Sequence, residues 1–151
     1  MRNRLVFSFS SSYIYPFLVS IYSAKINSTE KLIADILIPD DKTFGMDLDP
    51  ESQSFLSTIL IQLDIEHTFS PIKINSIRNE LPTFGKLPAT AWLRVFAAFD
   101  ENYHRDGIMY YFDPDIIFHR GFEEIFEIKS ENPSGISACI FPGHDYLTEN
   151  C

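Results

Sequence analysis

A chain of 151 residues, 45% of them apolar and 22% charged, has the length of one domain and enough apolar material to bury a core. Its formal net charge of −9 excludes broad binding to a phosphate backbone, which needs a basic face; nucleic acid is not expected as a partner, whereas a small anionic ligand held by a few Arg or Lys is compatible. Cys139 and Cys151 show neither a metal-ligand spacing nor a disulfide framework, which points to a reducing compartment.

Residues 5–9 predict a buried strand, followed by a polar turn at 10–12 and a helix over 15–25. The same opening stretch also resembles a secretory signal, with two Arg, an apolar run and Ser-Ala before Lys25, but its serines and Pro16 interrupt that run. Asn27-Ser28-Thr29 matches a glycosylation acceptor and suits a turn equally well. LIADILI, residues 32–38, predicts a second buried strand closed by Pro39-Asp40-Asp41. Over 50–63, Phe55, Leu56, Ile59, Leu60 and Leu63 fall at helical spacing, with Asp49 or Asp47 placed to cap the helix.

A third strand is expected over 65–74, then a polar connection through Gly85 and a helix over 89–99 with Trp92, Val95, Phe96 and Phe99 on one face. Residues 109–112 predict a fourth strand, 122–126 a short helical turn, and 136–141 a fifth strand after Asn132-Pro133-Ser134-Gly135. No segment reaches the roughly 18 uninterrupted apolar residues of a membrane span, so no transmembrane segment is expected. The alternation predicts an α/β, Rossmann-like domain with a mostly parallel sheet. Ligands of such sheets bind outside the carboxyl ends of the strands, where Ser10 to Tyr13 and Asp113 to Asp115 both fall.

The run YYFDPDIIF, residues 110–118, sets two carboxylates into an otherwise apolar stripe. In an extended segment, side chains two residues apart point the same way, so Asp113 and Asp115 can share a divalent cation, which in turn can bridge to a diphosphate. The alternative is a solvated Asp-Pro-Asp turn at a strand end. His67, His104, His119 and His144 have no zinc spacing, and each reads as a surface or loop residue. Gly85-Lys86 lacks the rest of a phosphate loop, Cys139 reads as a small buried hydrophobe, and Glu123 and Glu124 are expected to face solvent.

The stretch LPATAWLRVFAAFDENYHRDGIMYYFDPDIIFHRGFEEIF resembles the core of glycosyltransferase family 8, in which an Arg-bearing helix precedes a strand ending in D-x-D and a short helix follows. RLVFSFSSSYIYPFLVSIYSA is similar to that family's opening strand, turn and helix. The resemblance implies a GT-A-type nucleotide-diphospho-sugar transferase fold and a metal-dependent hexosyltransferase. Its donor would be a nucleotide-sugar, in the first instance a UDP-hexose, and its acceptor a saccharide or lipid-linked molecule. Carried over by position, Asp113 and Asp115 would be the Mn2+ or Mg2+ ligands, with Asp113 also near the donor sugar. Arg94 would reach the donor, Tyr13 would stack on the base, and Ser8, Ser10 and Ser12 would line the same turn.

The chain departs from the family at Ser10 and Ser12, where many members carry acidic or amide side chains, and at Pro114, which removes a backbone N–H. Family members are usually much longer. Residues 1–151 are therefore expected to form a single nucleotide-sugar-binding domain, the amino-terminal part of a longer transferase domain truncated at the carboxyl end, with transfer at this length left open. No catalytic residue is assigned. Two alternatives stand beside this reading: a non-catalytic truncated homologue that binds a metal-nucleotide, and a haloacid-dehalogenase-type phosphohydrolase with Asp113 as nucleophile. The phosphohydrolase pattern expects Thr or Val where Ile117 stands. The expected location is cytoplasmic, with the membrane surface and the secretory pathway as alternatives.

Overall fold

The computed structural model describes residues 4–39, 48–73, 89–99, 103 and 110–127. The expected fifth strand and the turn before it, the connection around Gly85-Lys86, and Asp40, Asp41, Asp47, His104, His144, Cys139 and Cys151 lie outside the described residues, as does the side chain of Phe99.

Strand β1 (Arg4–Phe7) leads through a short 3-10 turn (Ser11–Tyr13) into helix α1 (Ile14–Asn27). Then follow β2 (Ile33–Pro39), α2 (Pro50–Gln62), β3 (Glu66–Ile72), α3 (Ala89–Phe99), β4 (Tyr110–Tyr111) and a 3-10 helix over Phe122–Glu127. The described strands form one four-stranded parallel sheet in the order β3-β2-β1-β4. Parallel strands need a crossover between them, and the helices provide it, covering both faces. This is the α/β, parallel-sheet class that the alternation of runs predicts.

Side-chain alternation along the strands divides the core between the two faces. Leu5, Phe7, Ala34 and Ile36 cluster with Phe17, Ile21 and Ala24 of α1 and Leu56 and Leu60 of α2. Val6 and Leu37 point the other way and meet Leu93, Phe96 and Ala97 of α3. The expected apolar face of α3 is corrected here: Val95 is 39% exposed, and Leu93 and Ala97 are buried instead. Trp92 and Phe96 lie on the core side as the spacing predicts, and the packing of α3 on Val6, Leu37 and Ile72 turns Leu93 and Ala97, rather than Val95, into the contact.

Local chemistry sets the element ends. Asp49 caps α2 by accepting from the Ser52 backbone N–H at 2.7 Å, and Pro50 fills the first turn, where its missing N–H costs nothing. That backbone hydrogen bond also holds the Asp49 carboxyl below its usual range. Asp64 then turns the chain into β3 with φ of +53°, a left-handed conformation that Asp tolerates better than branched residues. No described helix is long and apolar enough to cross a membrane.

The strand order has one consequence for ligand binding. From β1 the chain builds outward to β2 and β3, and β4 is added on the opposite side of β1. The order therefore reverses between β1 and β4, and the loops leaving their carboxyl ends diverge there, which is where open parallel sheets form their ligand crevice.

Candidate functional site

Two segments flank this reversal point: residues 8–13 after β1, and residues 112–115 after β4. The strands are in register as Leu5 with Tyr110 and Val6 with Tyr111, and the Phe112 N–H donates to the Val6 carbonyl at 2.9 Å. A chain of ring contacts runs beneath both segments: Phe9 stacks on Phe17 at 4.5 Å, Phe17 meets Phe7 at 5.1 Å, Phe7 lies 6.2 Å from Phe112, and Phe112 meets Phe118 at 4.9 Å. Burying this aromatic area ties the two loops to one core.

Ser8 is buried, and its Oγ lies 3.0 Å from the Tyr111 hydroxyl. The expectation that Ser8 lines a ligand-facing turn with Ser10 and Ser12 is corrected to that extent: the hydroxyl points into the β1–β4 contact. Ser10 and Ser12 share a hydrogen bond of 2.8 Å at the surface, and the Tyr13 N–H closes the turn on the Ser10 carbonyl at 2.9 Å. Tyr13 is 44% exposed.

On the other side, an Arg94 Nη lies 3.6 Å from the Asp113 Oδ1. The Arg94 Cζ also sits 4.3 Å from the centroid of the Tyr111 ring, a cation–π geometry. Tyr111, which sequence reasoning did not single out, thus touches both halves of the site, its hydroxyl at Ser8 and its ring under Arg94. Burial pushes the Tyr111 hydroxyl pKa up, so it stays protonated and can donate. The sequence signal for it was the hydroxyl-bearing aromatic two residues before Asp113, on the opposite strand face from Tyr110.

Strand β4 ends at Tyr111, and Pro114 and Asp115 lie in a turn with the proline buried. Strand alternation therefore does not extend to Asp115, which corrects the basis on which both carboxylates were expected to face one way. Asp113 and Asp115 are both exposed. Among the described residues no group of three or more His, Cys, Asp or Glu is arranged to hold a metal ion. Exposed carboxylate oxygens are the donor type that a hard cation takes, but the Asp113 carboxylate already has the Arg94 guanidinium beside it, which a cation would have to displace.

Other polar residues were misjudged from sequence. Glu123 does not simply face solvent: it accepts from the Ser28 hydroxyl at 2.5 Å, the Thr29 and Glu30 backbone N–H groups at 3.1 Å each, and the Thr29 hydroxyl at 3.0 Å. The Ser28 contact is the main reason its carboxyl lies below the ordinary range. The Asn27 amide donates to the carbonyls of Ser23 and Phe118, both at 3.0 Å, so the glycosylation-like triplet fastens α1 to the segment after β4. His67 is half-buried in β3, where its Nε2 lies 2.8 Å from the Ser57 Oγ, whereas His119 is exposed.

Asp35 is fully buried in mid-sheet on the α3 face. It accepts from Thr68, Ser70 and Tyr103 hydroxyls at 2.9, 2.6 and 2.7 Å, with an Arg4 Nη 3.9 Å away. Burial and Asp35 together raise the Tyr103 pKa strongly, so the phenol remains a donor to the carboxylate.

The chain matches no protein-family model, no curated protein and no solved structure.

Proposed function

We propose that the chain binds a metal-complexed nucleotide-sugar between β1 and β4. We further propose a GT-A-type hexosyltransferase of the family 8 kind, moving a hexose from a UDP-sugar to a saccharide or lipid-linked acceptor. The supporting observation is that the serine turn after β1 and the acidic turn after β4 adjoin at the reversal of strand order, with Arg94 of α3 reaching Asp113. Residues far apart in sequence thereby supply an aromatic face, hydroxyls, a guanidinium and carboxylates to one edge, a set that suits a base, a ribose, a diphosphate and its counter-cation.

In this reading Tyr13 stacks on the base, and Ser10 and Ser12 offer hydroxyls to the nucleoside. Arg94 neutralises phosphate oxygens in a planar fork that a Lys does not reproduce. Asp113 and Asp115 would hold Mn2+ or Mg2+, which when bound offsets the charge on the leaving diphosphate. Ser8 and Tyr111 keep the two loops at their spacing rather than touching the donor.

The test is calorimetric titration with MnCl2 and UDP. The double variant Asp113→Asn, Asp115→Asn is expected to lose manganese-dependent UDP binding while retaining its melting temperature, because both carboxylates are exposed and the exposed Arg94–Asp113 pair contributes little to stability. Undiminished binding would remove the metal role. Nucleotide binding without hexose transfer to any of a panel of saccharides would make the chain a nucleotide-binding module instead.

A further inference from the structure

The Arg94–Asp113 pair has a feature that the donor-binding reading, on which this inference rests, does not require. Each of these side chains is assigned there to a ligand charge, yet here they face each other at 3.6 Å, with Arg94 39% and Asp113 58% exposed. We infer that Arg94 is the resident counter-ion of Asp113 and changes partner when ligand binds: the guanidinium leaves the carboxylate for the diphosphate, and the carboxylate takes the divalent cation in its place. Every charge keeps an opposite neighbour through this exchange, so it costs little desolvation. The Tyr111 ring, 4.3 Å from the Arg94 Cζ, supplies a platform beside which the head shifts. Tyr111 is in turn fastened through its hydroxyl to Ser8 of the neighbouring segment.

The exchange predicts reciprocal linkage. While Arg94 occupies Asp113, cation alone and diphosphate alone must each displace it, and each binds below its intrinsic affinity; bound together, they divide that cost. An exposed ion pair of this kind is weak, so the effect on either ligand is about two- to fivefold.

The experiment measures Mn2+ binding in the absence of nucleotide, by electron paramagnetic resonance of free Mn2+, and UDP binding in the absence of metal, by calorimetry. Arg94→Gln is expected to tighten Mn2+ about two- to fivefold and to weaken metal-free UDP about tenfold. Asp113→Asn is expected to do the reverse, losing Mn2+ and tightening metal-free UDP. Arg120→Gln removes one positive charge from the exposed segment that follows and controls for long-range charge; it should move neither affinity. If Mn2+ binds wild type and Arg94→Gln equally, the exchange is overturned while the metal site stands. An Arg120→Gln effect as large as that of Arg94→Gln reduces it to general electrostatics and overturns it. Absence of Mn2+ binding in both wild type and Arg94→Gln at millimolar concentration overturns the exchange and the metal-dependent reading together.

Discussion

The Tyr111 hydroxyl and the Ser8 Oγ meet at 3.0 Å across neighbouring parallel strands, 103 residues apart in the chain. Their contact holds the turn that carries Ser10, Ser12 and Tyr13 against the one that carries Asp113. Tyr111→Phe keeps the ring under Arg94 and deletes only the hydroxyl. It is expected to lower stability by about 1 kcal/mol in urea unfolding. In a double-mutant cycle with Ser8→Ala, the second substitution should cost less in the Tyr111→Phe background than alone. Additive effects would show that the two hydroxyls do not interact.

Glu123 makes stability depend on pH in a defined direction. Its carboxyl titrates below the ordinary glutamate value of 4.5, chiefly because of the Ser28 hydroxyl, so the folded state binds that proton less readily than the unfolded chain. The stabilisation is therefore present in full above about pH 4.5 and is lost as pH falls through the lower folded value. Melting temperatures of wild type and Glu123→Gln should differ most at neutral pH and converge in acid. The side chain is largely solvated, so the difference will be modest and reduced by salt. A constant gap from neutral pH to pH 2.5 would detach Glu123 from the acid response.

Asp35→Ala should be far more damaging than any change at the surface site. Removing the carboxylate takes the shared acceptor from the hydroxyls of Thr68, Ser70 and Tyr103 and leaves a gap at a fully buried position of β2; Thr68 is exposed and Ser70 and Tyr103 are half-buried, so water takes up part of the loss, which is about 2 kcal/mol. Asp35→Asn keeps an acceptor and should cost clearly less. Chemical denaturation of both variants decides it; equal loss from Ala and Asn would mean that charge, and not hydrogen bonding, is what the cluster requires.

Much of this fold was legible in the sequence because the signals were local. The alternation of short β-rich runs with helical spacing marks β1, α1, β2, α2, β3 and α3 to within a few residues, and the Asp49-Pro50 pair marks the start of α2. Such features depend on neighbours within a turn or a strand length, and the chain carries them in its order of residues. The carboxylates of residues 113 and 115 stood out for the same reason, as charges in an apolar run.

Strand order is a different kind of quantity. Nothing in β4 itself says that it pairs with β1 rather than extending the sheet beyond β3; that is settled by which packing buries Val6, Leu37 and α3 together. Only after that choice does Tyr111 lie beside Ser8, Arg94 beside Asp113, and Glu123 beside the loop after α1. Asp35 shows the same division. The sequence places a carboxylate in a buried strand, and the tertiary structure supplies the three hydroxyls that make it tolerable, two from β3 and one from Tyr103. The sequence by itself thus determined the elements, since local sterics and periodicity act within each; the tertiary structure decided their neighbours, because pairing strands and satisfying buried charges depend on contacts that no local pattern encodes.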